Sequence, residues 1–390
     1  MKSTTQIPLW FLACLTLMGT LAMHIFVPVL PLIAQDFQAD LHQVQMTLSI
    51  YILGLAIGQL FYGPLADSIG RKPVLVIGML IYSFASLGAM LANSLEMLIG
   101  FRFLQALGGC SGLLLGRAIV RDTTSGNETT KKLSIMNMMV TLGPGLSPIL
   151  GGLLAELSGW RLIFVVLSVL GFINLFLIFV YISNNSTKRP SSARVVLENY
   201  KKLVISPKFL GYTIGGGLAT TSFYAFLGVA SYIVIHQMHG TLHQVSIYLA
   251  LIMLGIWCGS FLSNLLVDRL SIDKMMMLGS CISIFFTSIF FICAILGILN
   301  FYSVVLPVIF YSLSVGITSP IALTKALNVN PMIAGSASGI YGFIQMVIGA
   351  LCTSLSGFGS NPAITAASIL LGACIIALLC FQWAHRIRNE

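Results

Sequence analysis

Apolar runs of about 20 residues follow one another along almost the whole chain, separated by short segments that carry most of its charge. As an α-helix, a run of that length spans the hydrocarbon core of a bilayer. Only 8% of the 390 residues are charged, whereas soluble domains carry roughly 25%. Water cannot solvate a surface with so little charge, so the sequence predicts an all-α integral membrane protein.

Twelve runs can be delimited by the charged and turn residues between them. The first six are predicted at 8–34, 43–66, 73–93, 96–118, 132–156 and 160–183. The last six are predicted at 208–236, 243–267, 274–297, 302–324, 333–357 and 362–384. A long polar interval separates the two sets. The expected fold is therefore twelve transmembrane helices in two pseudo-symmetric six-helix bundles.

The polar interval sets the predicted domain boundaries. We assign residues 1–183 to an N-terminal six-helix bundle, 184–207 to a cytoplasmic linker and 208–390 to a C-terminal six-helix bundle. Within the linker, Val195–Leu203 is expected to form a short helix that lies on the membrane surface.

Basic residues concentrate in the segments that this topology places on one side of the membrane. If the N-terminus is cytoplasmic, eighteen of the 20 Lys and Arg residues are cytoplasmic, in agreement with the positive-inside rule. The net charge of +9 then reflects membrane orientation, and binding to nucleic acid is not expected. Both termini are predicted to be cytoplasmic.

The two halves share a charged turn after their second span. Asp67 precedes Arg71 and Lys72, and Asp268 precedes Arg269, 201 residues after the first acid. Such charges can be paired or unpaired as neighbouring helices move, which is typical of a latch. Two parallel six-helix repeats with a substrate site between them are one known layout of secondary transporters.

Ionisable side chains inside a membrane are costly and usually face a cavity or another helix. His24 follows Thr20 on one helix face and precedes two candidate hinge residues, Pro28 and Pro31. It either faces a cavity, where it is a candidate for proton coupling, or bonds a neighbouring helix for structure alone. Arg102 is either a fixed positive centre that responds to substrate or proton, or a structural clamp on the first helix, and these roles are compatible.

Other polar and flexible positions within the spans are weaker candidates. Proline and glycine in the fifth span predict a kinked, tightly packed hinge helix, at Gly143, Pro144, Pro148, Gly151 and Gly152. Eight side chains are candidates for a substrate cavity, although helix packing explains each one taken alone. They are Thr20, Tyr51, Gln105, Asn137, Tyr224, Tyr311, Tyr341 and Gln345.

Motifs of other function classes are missing from the sequence. It contains no G-x-x-x-x-G-K-[ST], H-E-x-x-H or G-x-S-x-G. The cysteines lack metal-ligand spacing. We expect no enzyme, no metal site and no bound cofactor.

Six segments resemble the signatures of a known family. Gly63–Pro73, Arg102–Gly109 and Gly143–Gly152 resemble the loop-2/3, fourth-helix and fifth-helix motifs of the major facilitator superfamily. Arg117–Asp122, Gly159–Phe164 and Ala334–Ser338 resemble its Bcr/CflA subfamily, which comprises bacterial drug:proton antiporters.

The resemblance implies export of small, often amphipathic molecules across a bacterial inner membrane, with the proton gradient as energy source. It implies that Asp67 and Arg71 form a cytoplasmic latch against the start of the eleventh helix, and that Arg102 takes part in proton handling. The expected partners are a small-molecule substrate, protons and the lipid bilayer, and the chain is expected to act as a monomer.

One position departs from the subfamily pattern, in which an aspartate lies four residues before the first-span proline. This chain has His24 at that position. Proton coupling then either passes through His24, depends on Asp67 and Arg102 instead, or is altered. Because a neutral or cationic imidazole disfavours cationic drugs, an endogenous metabolite such as a metal-chelating natural product is the alternative cargo. A transport-inactive receptor or scaffold is the remaining alternative.

Overall fold

The computed structural model describes residues 7–124, 126–182, 193–267 and 269–387. Seven helices form the first half of the described chain. They are α1 (Leu9–His24), α2 (Leu30–Phe37), α3 (Leu41–Ile69), α4 (Arg71–Met90), α5 (Leu95–Thr123), α6 (Gly126–Ser158) and α7 (Arg161–Tyr181). A 3-10 turn at Val27–Val29 connects α1 to α2.

The second half follows a linker helix, α8 (Ala193–Ile205). Its helices are α9 (Pro207–Thr221), α10 (Phe223–Tyr232), α11 (Leu242–Leu266), α12 (Ile272–Ile295), α13 (Leu306–Leu327), α14 (Ala334–Ser356) and α15 (Pro362–Arg386). Short π-helical turns at Ile233–Gln237 and Phe301–Val305, and a 3-10 turn at Pro331–Ile333, complete the described elements.

Eleven helical segments within the described ranges are long and apolar enough to cross a bilayer. Three of them join several elements: Leu9–Phe37 contains α1 and α2, Pro207–Gln237 contains α9 and α10, and Phe301–Leu327 contains a π-helical turn and α13. Helix α6, with 33 residues, lies at the position of the predicted fifth span. Each of the twelve predicted spans therefore corresponds to a helical segment, and the prediction of an all-α membrane fold is confirmed.

The first span is broken where its sequence places a proline. Pro28 has no N–H to donate to the carbonyl of His24, four residues earlier, and α1 ends at His24. Pro31 lies in the first turn of α2, where a missing N–H costs nothing. The chain between the two helices is thus the point at which the α-helix of this span is interrupted.

Glycines allow the helices of each half to pack backbone to backbone. A Cβ atom at Gly109 on α5 would lie 3.0 Å from the Cα of Gly19 on α1. In the second half, a Cβ at Gly316 on α13 would lie 2.9 Å from the carbonyl carbon of Gly259 on α11. Any larger residue at these positions would force the helices apart.

The two halves meet along two helix pairs, α3 with α14 and α6 with α11. Glycine also lies at these contacts: Gly342 on α14 faces the side chain of Gln59 on α3, and Gly152 on α6 faces Ser246 on α11. Helix α3 runs the full height of the bundle. Its two ends therefore report on how closely the halves approach at each face of the protein.

Candidate functional site

At one end of the bundle the halves are in direct contact. The ring of His42 in the first half lies 3.9 Å from that of Phe358 in the second, measured between ring centres. Gln45 in the first half donates to the carbonyl oxygen of Gly228 at 3.0 Å. The hydroxyl of Ser231 in the second half donates to the carbonyl oxygen of Val27 at 2.8 Å. We call this the closed end. No local sequence pattern indicates these contacts, because each pairs residues far apart in the chain.

At the other end, the halves are separated by a cavity of about 920 Å³. The ends of α3 and α5, the starts of α4 and α14, and one face of α8 line it. Asp67, Arg71 and Lys72 all border this cavity, so we call its side of the protein the basic end. The structure therefore combines one closed end with one open end.

The predicted latch residues lie at the mouth of this cavity. Arg71 donates from Nε to the carboxylate of Asp122 at the end of α5, and its Nη2 lies 3.9 Å from Asp67. Lys72 turns away, with its Nζ 3.5 Å from the carbonyl oxygen of Phe179. In this state the latch arginine is held by acids of its own half, and the start of α14 lies across the cavity from it.

The second half contains a counterpart of this ion pair with its charges exchanged. Asp273, in the first turn of α12, lies 2.8 Å from Lys325 in the last turn of α13. These residues follow Arg71 and Asp122 by 202 and 203 residues. His385 lies 3.7 Å from the same carboxylate. The predicted Asp268 lies outside the described residues, and Arg269 is exposed.

Arg102 is fully enclosed on α5. Its Nη1 donates to the carbonyl oxygen of Ala22 at 3.1 Å and to Oε1 of Gln105 at 2.7 Å. The guanidinium carbon lies 4.0 Å from the ring centre of Tyr51 and 4.4 Å from that of Phe26. Among the described residues no carboxylate contacts this cation, which the carbonyl end of α1 and the aromatic faces stabilise instead.

Two donors of Arg102, Nε and Nη2, find no acceptor among the described residues. A buried donor without a partner costs about 1–3 kcal/mol. Gln105 extends the network, since its Nε2 donates to the hydroxyl of Ser86 at 2.8 Å. Tyr51 donates its hydroxyl to the carbonyl oxygen of Gly19 at 2.7 Å. A polar cluster with unmet donors is thus built around the C-terminal turns of α1.

His24 is buried at the last residue of α1. Its Nδ1 lies 2.8 Å from the carbonyl oxygen of Thr20. Because a carbonyl only accepts, Nδ1 carries the hydrogen, and Nε2 is the atom left to take a further proton. The hydroxyl of Thr20 donates to the carbonyl oxygen of Leu17 at 3.1 Å, so this threonine is satisfied by its own helix.

The glycine-rich part of α6 packs against both halves. Gly143 faces the side chain of Leu17, and Gly151 faces the carbonyl of Ile25, so one face of α6 contacts α1 on both sides of His24. Pro144 and Pro148 lie inside α6, which continues through both. The side chain of Asn137 lies outside the described residues.

The cavity candidates of the second half make separate contacts within that half. Gln345 donates from Nε2 to the hydroxyl of Thr220 at 2.7 Å, and the hydroxyl of Tyr311 lies 2.9 Å from that of Ser222. The hydroxyl of Tyr341 packs against Gly216, and the ring of Tyr224 packs against Gly349. Of the seven candidates with described side chains, none lines the open cavity. Their assignment to a substrate site stays a prediction.

The family comparison agrees with this architecture. A family model, the Major Facilitator Superfamily, matches residues 12–353. The bicyclomycin resistance protein homolog of Haemophilus influenzae is 27% identical over 393 residues, covering 100% of this chain and 98% of that protein. Multidrug resistance protein D of Escherichia coli is 28% identical, covering 89% of this chain and 88% of its own.

Solved structures share the fold. A bacterial homolog of the human lysosomal transporter Spinster, in an inward-facing and unoccupied conformation, has a TM-score of 0.73 at 15% identity. The alignment covers 96% of this chain and 95% of that chain.

Proposed function

The chain belongs to the major facilitator superfamily, and on that premise we propose that it is a proton-coupled exporter of small drug-like or amphipathic molecules. It would work by alternating access across a bacterial inner membrane, with both termini in the cytoplasm. The proton gradient would supply the energy without a bound cofactor, and the monomer would be sufficient. The resemblance to the Bcr/CflA subfamily is confirmed by the relative that spans the whole chain.

The observation that carries this proposal is the asymmetry between the two ends. Gln45 and Ser231 join the halves at the closed end, while a cavity of about 920 Å³ separates them at the basic end. The positive-inside rule supports a cytoplasmic location for the basic end. The cavity would then open toward the side from which an exporter takes up its cargo.

The latch would act when the basic end closes. Arg71 is held by Asp122 and Asp67 in the open state. The start of α14, at Ala334, borders the same cavity. A helix N-terminus attracts a carboxylate, so closure would bring Asp67 toward the first turn of α14 and stabilise the closed basic end.

Proton coupling would depend on His24 and Arg102. The aspartate of the subfamily pattern is absent here, and His24 offers its Nε2 in the same turn of the first span. Protonation of His24 would add a positive charge two residues after Ala22, whose carbonyl oxygen Arg102 contacts, and Arg102 itself lacks a carboxylate partner among the described residues. A buried cation without a partner is costly, so this new charge at the end of α1 would link proton entry to the movement of the helix.

The sign of the interior charge bears on the cargo. The described part of the membrane interior holds the cation Arg102, with two unpaired donors. This favours a neutral, zwitterionic or anionic molecule over a cationic drug. An endogenous metabolite such as a metal-chelating natural product is therefore the second candidate cargo, and a transport-inactive receptor is the remaining one.

Proteoliposomes with an imposed pH gradient test the proposal. Candidate drugs that are neutral, anionic or cationic are offered to the basic end, and their accumulation is compared with and without a protonophore. Export predicts accumulation that the protonophore abolishes and that Arg102→Ala protein lacks. Accumulation without dependence on the gradient would contradict proton coupling, and binding without any accumulation would favour the receptor.

A further inference from the structure

The signature proline of α3 leaves a backbone carbonyl free. Pro64 lies inside α3 and has no N–H, so the carbonyl of Leu60, four residues earlier, receives no helical hydrogen bond from it. A free carbonyl of this kind within a packed protein needs a donor from elsewhere. That donor comes from outside the first half.

The donor is the hydroxyl of Tyr200 on the linker helix α8, 3.2 Å from the carbonyl oxygen of Leu60. The two residues are 140 positions apart in the sequence. Burial raises the pKa of Tyr200, so its hydroxyl stays protonated at neutral pH and remains a donor. The linker is thus fastened to the first half at the one carbonyl that Pro64 leaves open.

Tyr200 also occupies the space between the halves. Together with Val196 and Asn199, it lines the cavity at the basic end. A Cβ atom at Gly339 on α14 would lie 3.4 Å from the Tyr200 hydroxyl and 3.5 Å from the carbonyl oxygen of Gln59 on α3. Tyr200 therefore lies beside the point where α14 already contacts α3, and α8 occupies the mouth of the cavity that must narrow when the basic end closes.

We propose that Tyr200 is a positioning residue for the transport cycle, because its hydrogen bond to the Leu60 carbonyl holds the linker against the first half and favours the state with the basic end open. The inference rests on the proposed alternating access. Closure of the basic end breaks this bond and moves α8 out of the cavity mouth. Pro64 then has a second role besides shaping the turn, since it creates the acceptor.

The test measures the distance between the halves at the basic end. Spin labels are placed at Ser68 in the first half and at Met332, which is 92% exposed, in the second. The background lacks the eight native cysteines. Tyr200→Phe removes one hydroxyl and keeps the ring. It should shift the ratio of open to closed populations toward closed by about 2-fold to 10-fold, as expected for a single hydrogen bond.

Pro64→Ala provides the critical second background. The alanine supplies a backbone N–H that can donate to the Leu60 carbonyl, so Tyr200→Phe should shift the ratio in this background by less than about 1.5-fold. Tyr302→Phe, at a tyrosine that is 76% exposed, is the matched control and should leave the ratio unchanged.

Two results would overturn the inference: no shift for Tyr200→Phe, or an equal shift with and without Pro64. Both leave alternating access intact, provided that unmodified protein shows two distances. A single distance in unmodified protein, whatever the pH or added drug, would instead overturn the proposed function and the role of Tyr200 with it.

Discussion

The guanidinium of Arg102 lies 4.0 Å from the ring centre of Tyr51, and both side chains donate to backbone carbonyls of α1. The acceptors, Gly19 and Ala22, are in the last turns before the helix ends at His24. Arg102 therefore acts as a clamp on α1 and as an interior charge at once. The sequence alone allowed both roles, and the contact between Arg102 and α1 combines them.

Arg102→Met should separate these roles. The substitution removes a buried charge whose two unpaired donors each cost free energy, which offsets the loss of its hydrogen bonds to Ala22 and Gln105. We expect an unchanged or higher melting temperature together with loss of transport, measured on the same preparation. Arg161→Met is the control, because Arg161 lies 2.9 Å from Asp36 near the closed end, and its loss should leave transport intact. A large fall in melting temperature for Arg102→Met would make this residue structural.

Asp67→Asn should slow turnover more than it weakens substrate binding. The carboxylate lies at the cavity mouth and would act on closure, so binding in the interior does not depend on it. A partly exposed ion pair contributes about 1 kcal/mol or less, so turnover should fall by about 5-fold at most, with the binding constant changed by less than about 2-fold. Transport rates and equilibrium binding in detergent measure the two effects.

The control for the latch is Glu156→Gln, which neutralises an exposed carboxylate near the other end of the bundle. It should change neither quantity. Equal transport rates for Asp67→Asn and the unmodified protein would remove Asp67 from the latch.

The exchanged ion pair of the second half predicts non-additive mutants. Asp273 and Lys325 are 2.8 Å apart with side chains 44% and 25% exposed. Their coupling should be about 0.2–1 kcal/mol, as for other solvent-accessible pairs. A double-mutant cycle measures this coupling from the free energies of unfolding of Asp273→Asn, Lys325→Gln and the double variant. Strict additivity would show that the pair contributes nothing and that its symmetry with Arg71 and Asp122 has no energetic meaning.

The helices could be predicted from sequence because each span is decided locally, by its own apolar length. The second span, predicted at 43–66, is the helix Leu41–Ile69. The break of the first span follows equally locally from Pro28, which cannot donate to His24. Hydropathy and proline chemistry were sufficient for these features.

The contacts between elements could not be predicted in this way. Asp122 is 51 residues from Arg71, and Tyr200 is 140 residues from Leu60. No local pattern indicates these partners, since each depends on how whole helices cross. Which end is open also depends on small differences among such contacts, rather than on the composition of any span.

The closed end should loosen when Gln45 is changed. Its Nε2 donates across the halves to the carbonyl oxygen of Gly228, and Gln45→Met removes this bond at similar volume. One neutral hydrogen bond favours closure of this end by about 2-fold to 10-fold, so labelling of cysteines placed at this end should accelerate by that factor. Thr47→Val is the matched control, because the Thr47 hydroxyl bonds the carbonyl of Val44 within its own helix. Equal labelling rates for the two variants would contradict the assignment.

His24→Gln decides whether the imidazole carries the coupling proton. Glutamine keeps polarity and comparable size but cannot be protonated between about pH 5 and 8, where histidine titrates. If Nε2 of His24 takes the proton, substrate affinity in the unmodified protein should change across this range because the imidazole becomes a buried cation at the end of α1. In His24→Gln it should then be independent of pH. His236 lies outside the α1–α5 cluster, with its ring centre 5.5 Å from that of Tyr232, and His236→Gln should keep the original pH dependence. If the titration curve of substrate binding is unshifted in His24→Gln, the proton is carried elsewhere, and Asp67 becomes the next residue to test.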